Sequence, residues 1–442
     1  MFVIKKVYKM YDIEHNDKNE TGTPAPRPTD IITPDSGLTV LSLFDGMANG
    51  ALALHRLGIP VAEYHAYEID PQAILIADHN IPNITRHGDG DVFKADFSIH
   101  RGVDMLIGGS PCTHWSIAQK KEDREVNPNS GIGWELFSQY VRALHEAQPS
   151  MFLYENNASM SDAIREEITR TFGFPPHRLQ SSTLSAQSRD RLYWVGRRQP
   201  DGSYAQVPVP QPEDLGLVVA DILEDGWTSP RDKAHAVLTS SARTTHREFF
   251  QKAQGDMAMR PVSPDTPIRV GDMPAKDGHV SGGQAMRVYS TEGKSRTQMA
   301  CGGGMGGKTG LYAIPVGTTK DDKACTIKAQ YSKNSVANFI TNGKYNATGV
   351  AEPSLKPAEV DGETVFPVSD GMITIRGRQY PCKLPDGAYE IRKLTVRECA
   401  RLQTIPEWYD FSVVSNTNAY KAIGNGWTVS VIAHIMSCML DG

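Results

Sequence analysis

Short apolar runs alternate with helical patterns between residues 39 and 157. The runs TVLSLF, VDMLIGG and MFLYENN have the length and residue types of buried strands. Before the last of these, a helix is predicted from Glu135, because apolar residues recur at the spacing of one helical stripe: Leu136, Phe137, Tyr140, Val141 and Leu144. This alternation predicts an α/β fold, with a parallel sheet covered by helices on both faces.

The pattern divides the chain into four segments. Residues 1–36 end in a proline-rich, polar stretch and are interpreted as an extension or linker. Residues 37–205 carry the alternation of strands and helices. Residues 206–388 contain short β-like pieces with many Gly, Pro and Thr, which predict a separate irregular, β-rich domain. Helical periodicity and a capping box at Thr395 return in residues 389–442, so this segment is expected to rejoin the first domain.

Charge is distributed unevenly along the chain. The net charge is −5, but residues 231–385 hold 21 Lys and Arg against 14 Asp and Glu, whereas the remainder is acidic. This distribution fits an enzyme that grips a polyanion with one part only, although a solvated basic face is the commoner cause. No apolar run approaches a membrane span and the N-terminus lacks a secretory pattern, so a cytoplasmic protein without membrane contact is expected.

The stretch DMLIGGSPCTHWS places one cysteine at the expected edge of the sheet. A strand is predicted over residues 103–107, and Gly108 and Gly109 then allow a sharp turn, so Cys112 follows the end of the strand where such sheets bind ligands. A nucleophile would lie there, whereas most lone intracellular cysteines are small buried hydrophobes. The six cysteines contain no CxxC pair, which argues against disulfides and a zinc cluster, and no metal is predicted.

Two further strand ends are expected to lie beside Cys112. Phe44 and the turn DGMANG follow the first strand, and Glu155 ends the run MFLYE. Because the carboxyl ends of parallel strands line one crevice, these residues should converge. Glu68, at the end of the second strand, is placed to bind ribose hydroxyls. The strict GxGxxG spacing is absent, so a cofactor with one ribose is favoured over a dinucleotide.

A thiolate beside a carboxylic acid suits attack on an electron-poor ring, with the acid acting at a ring nitrogen. Taken alone, Glu155 would more often be a surface or salt-bridged carboxylate. In AQSRDRLYWVG, the side chains of Gln187, Arg189 and Arg191 alternate, so they share one face and can point into the crevice. Arginines on an edge strand that faces solvent are the alternative.

Taken together, these motifs resemble those of the DNA (cytosine-5)-methyltransferases that use S-adenosylmethionine. The resemblance covers about residues 38–199 and 389–438, and leaves the basic middle segment as the variable target-recognition domain. It implies a Rossmann-like methyltransferase sheet with this domain inserted. The matching stretches occur in family order: LSLFDGMANGALAL, AYEID, GDVFKADF, DMLIGGSPCTHWS, MFLYENNASM, AQSRDRLYWVG, IRKLTVRECARLQTIPEWY and AYKAIGNGWTVSVIAHI.

The resemblance implies a role for individual residues. Cys112 would add to cytosine C6, Glu155 would stabilise the protonated N3, and Arg189 and Arg191 would contact the flipped base and the surroundings of the nucleophile. The implied S-adenosylmethionine-binding residues are Phe44, Asp45, Gly46, Met47, Glu68, Ile69, Asp91, Val92, Pro111 and Asn425. The expected contacts to double-stranded DNA are Ser116, Gln187, Arg287, Arg296 and Lys308. A stacked base must be flipped out of the duplex, and the long loop after Cys112 is the expected lid.

Three departures from the family pattern bear on loop closure and local packing. Thr113 replaces the usual Gln after the Pro-Cys pair, Asn157 replaces the Val of the usual Glu-Asn-Val, and SGIG stands where an arginine commonly follows the serine. Because the nucleophile and the acid are intact, an active enzyme is expected.

Other interpretations remain open at this point. An RNA cytosine-5 methyltransferase and a non-catalytic DNA-binding relative would have the same fold. The stretch GGGMGGKT at 302–309 fits the phosphate-loop pattern of ATPases, but no helical period follows it, so a loop that contacts DNA phosphates is preferred. The expected setting is the cytoplasm of a bacterial or phage-infected cell, and the sequence does not indicate whether a cognate restriction endonuclease exists.

Overall fold

The computed structural model describes residues 28, 31–34, 36–111, 115, 129–239, 241–251, 255–261, 269–272, 287–290, 311–313, 358–360, 363–375 and 378–441. Within these ranges, two large β-sheets account for most of the strands. The first sheet carries the candidate site, and the second is formed largely by the middle of the chain.

The first sheet has eight strands. In chain order, the strands of this part of the chain are β1 (Leu38–Leu43), β2 (Val61–Tyr67), β3 (Ile84–Arg86), β4 (Met105–Gly108), β5 (Met151–Asn157), β6 (His177–Gln180), β7 (Gln187–Ser188), β8 (Asp190–Arg198) and β9 (Tyr204–Gln206). Strands β3, β2, β1, β4 and β5 lie side by side in parallel, as predicted. Beyond them, β8 pairs antiparallel with β5, and β6 and β9 pair antiparallel with β8, which the sequence pattern did not predict.

Helices cover both faces of this sheet. The helices of the described residues are α1 (Asn49–Arg56), α2 (Pro71–Asn80), α3 (Gly131–Ala147), α4 (Asp162–Phe172), α5 (Val219–Ile222), α6 (His246–Gln251), α7 (Val396–Leu402), α8 (Asn416–Asn425) and α9 (Val429–Leu440), of which α6 packs against the second sheet. Strand residues alternate between the faces, so Val40 packs in one hydrophobic core with α1 and α9, whereas Leu41 packs in a second core with α3 and α4. The predicted α/β class with helices on both faces is therefore confirmed.

The second sheet has nine strands and is irregular. The remaining strands are β10 (Ala234–His235), which pairs with β7, and β11 (Met257–Pro261), β12 (Arg269–Asp272), β13 (Arg287–Ser290), β14 (Leu311–Ala313), β15 (Ala358–Val360), β16 (Glu363–Ser369), β17 (Met372–Ile375), β18 (Arg378–Pro381) and β19 (Gly387–Lys393). A small core with Met259, Phe366 and Tyr389 lies at its β11, β16 and β19 strands. The β-rich character predicted for the middle of the chain is present.

Packing places the segment limits differently from the sequence pattern. Ile32, in the predicted extension, is buried and bridges Val61 of β2. After the predicted limit at 206, the chain continues along the first core through Val237, and the second sheet begins only with β11. In the other direction, β19 runs to Lys393 within the second sheet. Periodicity did not predict these apolar contacts, because the residues that make them lie in polar and proline-rich segments without a regular period.

Helix ends agree with the sequence only in part. The capping box is confirmed, because Thr395 Oγ1 accepts from the Glu398 amide and Glu398 accepts from the Thr395 amide. Helix α3 begins at Gly131, four residues before the predicted start at Glu135. The sequence pattern missed this first turn because Gly131 and Gly133 are poor helix formers. Among the described residues, the stretch Asn416–Leu440 is long and apolar enough to cross a membrane, but 72% of its apolar window is buried inside the fold, as in a core helix.

Candidate active site

Three strand ends lie next to one another at one edge of the first sheet. The last residue of β1, Leu43, pairs with Gly108 at the end of β4, and Gly108 in turn pairs with Tyr154 of β5. Phe44, Gly109 and Glu155 follow directly, so the predicted meeting of these segments is confirmed. Cys112 lies outside the described residues, whereas Gly109 to Pro111, which lead to it, are described.

Glu155 is held from two sides. Its side chain is only 12% exposed. Its Oε1 lies 2.9 Å from Nε of Arg191 in an ion pair, although the N–H of this nitrogen is not aligned for a hydrogen bond. Oε2 accepts a hydrogen bond of 3.0 Å from the indole Nε1 of Trp427. The charge of Arg191 and the indole donor fix both oxygens of the carboxyl group at the strand end.

The loop towards Cys112 passes directly over Glu155. A Cβ atom on Gly109 would lie 2.8 Å from Glu155 Oε2 and 2.9 Å from its carbonyl oxygen. Any larger residue would push the loop away from the acid, because one of these contacts is with backbone. The glycine therefore permits the close approach to Glu155 of the segment that leads to Cys112.

The turn after β1 is clasped by Glu68. Phe44, Gly46 and Ala48 all have φ near +57°, in the left-handed region. Glu68 Oε2 accepts from the Gly46 amide at 2.8 Å, and Oε1 accepts from the amides of Ile69 and Asp70. Burial raises the pKa of Glu68, against the lowering effect of these backbone donors. Oε2 keeps a second lone pair, whereas Oε1 already accepts two amide hydrogen bonds, so the predicted contact with a ribose hydroxyl remains available at Oε2.

The Asp45 side chain is not available for the predicted contact with a cofactor. Its side chain is 1% exposed and accepts hydrogen bonds from Ser42, Tyr64 and Arg86. Burial raises the pKa of Asp45, although the charge of Arg86 opposes the shift. The carboxylate thus stabilises the turn from beneath, and the expectation of a direct ligand contact through this side chain is corrected.

The remaining residues predicted to bind the cofactor differ in how far their side chains are exposed to solvent. The side chains of Met47 and Val92 are buried in the two cores, so only their backbone atoms can face a ligand. Ile69 is 70% exposed beside Glu68, which is unusual for an isoleucine. Asp91 accepts from the Phe93 amide in the loop after β3. Pro111 and Asn425 are exposed, and Asn425 is the last residue of α8.

Two residues predicted to contact the base or DNA are instead internal braces. Gln187 is fully buried, with its amide bonded to Leu402 O, Gln403 Oε1 and the Val237 amide, so its position at a DNA-facing surface is corrected. Arg189 is also buried and donates to the carbonyls of Val237, Gly424 and Gly426. Both side chains fix the part of the C-terminal segment that leads to Trp427, and the predicted contact of Arg189 with the base stays a prediction.

Sequence reasoning missed Trp427. The only signal was its position immediately after Asn425 and Gly426 in AIGNGWTV, because its partner Glu155 is 272 residues away in the chain. Asn157, one of the departures from the family pattern, is buried and accepts from Ser159 N and Oγ, so its polar side chain is satisfied locally.

Several predicted DNA contacts lie outside the described residues, namely Ser116, Arg296 and Lys308, together with the stretch GGGMGGKT. Arg287 is the first residue of β13, in the second sheet. Their roles therefore remain predictions.

Comparison with known proteins agrees with this arrangement. The model of the family described as C-5 cytosine-specific DNA methylase matches residues 38–440. The orphan methyltransferase M.SPRI of Bacillus phage SPR is 26% identical, over 90% of this chain and 96% of the relative. The Type II methyltransferase M.Eco47II of Escherichia coli is 30% identical, over 89% of this chain and 76% of the relative. A solved structure of the S. pombe Dnmt2 methyltransferase covers 91% of this chain and 98% of its own, with a TM-score of 0.46 and 15% identity.

The open α/β sheet, with a clasped turn and a fixed acid at adjoining strand ends, is that of a Rossmann-like methyltransferase. The chain belongs to the C-5 cytosine-specific DNA methylase family, and it is a DNA cytosine-5 methyltransferase. Members of this family act on DNA and depend on S-adenosylmethionine. The resemblance seen in the sequence motifs is thereby confirmed.

Proposed function

We propose that this methyltransferase modifies C5 of cytosine within a specific sequence of duplex DNA, through a covalent adduct between Cys112 and a flipped-out base. The observation that carries the proposal is the fixation of Glu155 by Arg191 and Trp427, beneath the loop that leads to Cys112. A carboxyl group held this closely beside a cysteine-bearing loop supports chemistry on a ring that has both a carbon for the thiolate and a nitrogen for the acid.

The proposed bond changes involve the thiolate of Cys112, the carboxyl group of Glu155, a methyl donor and a base. The thiolate of Cys112 forms a bond to C6, and the electrons of the C5–C6 double bond move into the ring while Glu155 stabilises the proton at N3. C5 becomes an enamine-like carbon that would form a bond to the methyl group of the donor, while the sulfonium sulfur keeps the electrons of the broken S–C bond and becomes a neutral thioether. Removal of the C5 proton restores the double bond and breaks the bond between C6 and Cys112. The net change is replacement of the C5 proton by methyl.

Residues around Glu68 fit a nucleoside-containing methyl donor. When bound, S-adenosylmethionine supplies an electrophilic methyl group on its sulfonium. Glu68 Oε2 can accept from a ribose hydroxyl, Asp91 lies in the loop after β3, and exposed Ile69 offers an apolar surface for a purine ring. Phe93, an aromatic residue in the loop after β3, is also exposed.

The middle of the chain is the proposed target-recognition domain. Its support is the excess of basic residues, which includes Arg287, Arg296 and Lys308, whereas Ser116 belongs to the proposed lid. A bacterial or phage-infected cytoplasm is the proposed setting, since M.SPRI and M.Eco47II come from a phage and a bacterium. A restriction endonuclease is not required, because the phage relative is described as an orphan methyltransferase.

The decisive test measures methyl transfer from labelled S-adenosylmethionine to duplex DNA, single-stranded DNA and RNA under the same conditions. We expect label in duplex DNA, and bisulfite sequencing should place it at cytosines in one short sequence. Label in RNA alone would identify an RNA methyltransferase, and DNA binding without transfer would identify a non-catalytic relative. An oligonucleotide that already carries 5-methylcytosine at the site is the matched control and should accept no label.

Target choice should follow the segment from Arg287 to Lys344. It holds nine Lys and Arg against three Asp and Glu, interleaved with small polar residues that can approach phosphates and base edges. Replacing it with the corresponding segment of a relative of different specificity should change the methylated sequence, with little effect on S-adenosylmethionine affinity. Bisulfite sequencing reads the outcome, and an unchanged methylated sequence would reassign target recognition.

Trp427→Phe should slow chemistry roughly 10- to 100-fold, because it removes a hydrogen bond to a charged acceptor worth about 1.5–3 kcal/mol while retaining an aromatic ring. The single-turnover rate of methyl transfer measures this effect, with duplex affinity and thermal unfolding as companion readouts. Trp408→Phe is the matched control, since Trp408 packs beside His55 away from Glu155. A normal rate with lowered thermal stability would give Trp427 a purely structural role.

A further inference from the structure

Three histidines meet at the edge of the first sheet, outside the proposed catalytic groups. His65 lies in β2, His87 follows β3, and His100 ends the short 3₁₀ helix Phe97–His100. One ring nitrogen of each lies within 4.8 Å of those of the other two. His65 and His87 are partly exposed, whereas His100 is buried, so the cluster is open on one side.

The hydrogen bonds of His65 direct the lone pair of one ring nitrogen into the cluster, where it accepts from His87. Its Nε2 lies 2.9 Å from the carboxylate of Glu63, which fixes the proton on Nε2. Its Nδ1 then lies 3.1 Å from Nε2 of His87. A carboxylate that holds the outer N–H of an imidazole is the usual second partner of a metal-binding histidine, because it fixes the tautomer and makes the inner nitrogen more basic.

One nitrogen–nitrogen distance in the cluster is close to that of a tetrahedral metal site. With metal–nitrogen bonds of about 2.0–2.1 Å, two ligand nitrogens of one zinc ion are about 3.4 Å apart. The 3.1 Å between His65 and His87 is already near this value, and His100 would have to approach from within 4.8 Å.

We propose that His65, His87 and His100 bind one divalent ion of the zinc class, with Glu63 orienting His65 and the fourth position open to water. Three imidazoles favour Zn²⁺ over Mg²⁺ or Ca²⁺, which prefer oxygen ligands. The ion would tie together β2, the exit of β3 and the 3₁₀ helix. It would also fix His87, whose carbonyl oxygen accepts from the amide of Gly90.

The test uses the full chain after chelator treatment and gel filtration. Zn²⁺ binding is measured by equilibrium dialysis, and Co²⁺ absorption identifies the ligand type, because thiolate ligands add charge-transfer bands that imidazoles lack. We expect one equivalent of metal bound without thiolate bands. The same metal should raise the melting temperature of the wild-type protein.

His65→Gln and His87→Gln should each weaken binding of this equivalent by at least about tenfold. Circular dichroism checks that the variants fold, and having two variants covers the failure of one. His145→Gln, on the exposed surface of α3, is the matched control and should bind metal like the wild type. Equal affinity in the wild type and both cluster variants, a thiolate spectrum, or no bound equivalent would overturn the proposal, and none of these results depends on methyl transfer.

Discussion

Cys112→Ala is expected to abolish methyl transfer while duplex DNA binding survives. The thiolate acts only in the covalent step, whereas affinity for the duplex comes mainly from basic groups of the middle segment. Labelled methyl incorporation measures the loss, and a gel-retardation assay at fixed salt measures the retained binding. With wild-type protein, duplex DNA that carries 5-fluorocytosine at the target should give an adduct that resists denaturation, because the C5 fluorine cannot leave as a proton does.

Cys438→Ala is the matched control for this variant. Cys438 is half-buried in α9, and burial raises the pKa of its thiol, which disfavours nucleophilic behaviour. It should transfer methyl groups and form the adduct like the wild type. Methylation by wild-type protein without any 5-fluorocytosine adduct would contradict the covalent mechanism, and so would activity in Cys112→Ala.

Local patterns were sufficient for the core of the fold. The strands that end at Leu43, Gly108 and Glu155 are apolar runs of ordinary length, and parallel pairing then requires their ends to adjoin. The sequence could therefore indicate that Phe44 and Glu155 lie at one edge. It could not indicate the antiparallel strands beyond β5, since an apolar strand reads alike in either direction.

Partners distant in sequence were not predictable. Gln187 and Arg189 look like polar residues of an exposed loop, yet they are buried because carbonyls of Leu402, Gly424 and Gly426 supply acceptors for them. Asp45 likewise has the position of a ligand-binding residue in the sequence, whereas in the structure Arg86 and the hydroxyls of Ser42 and Tyr64 surround its carboxylate. Buried polar groups need such partners, and a periodicity pattern does not identify which segments supply them.

The histidine cluster shows the same limit for metal sites. His65, His87 and His100 have no spacing typical of a zinc motif, and the sequence argument considered the cysteines alone. Their convergence depends on the parallel pairing of β2 with β3, which aligns His65 with Thr85 and brings the following His87 alongside. Only the register of that pair makes the site apparent.

Glu155 joins three distant parts of the chain. Strand β5 carries it, Arg191 reaches it from the antiparallel β8, and Trp427 reaches it from the C-terminal segment. Arg189, two residues before Arg191, binds the carbonyls of Gly424 and Gly426 and so sets the position of Trp427. The geometry of the acid therefore depends on the closure of the C-terminal segment onto the first sheet.

Glu155→Gln should lower the single-turnover rate of methyl transfer by roughly 10²–10⁴-fold, the range for a positioned acid or base. A neutral amide can still accept the indole hydrogen bond of Trp427, but it cannot carry the N3 proton or pair with the charge of Arg191. S-adenosylmethionine affinity should change little, because the proposed cofactor contacts are made by Glu68 and the turn after β1 and not by Glu155. Glu135→Gln, exposed on α3, is the matched control and should react at the wild-type rate. A loss confined to cofactor binding, with the single-turnover rate unchanged, would instead assign Glu155 to the cofactor site.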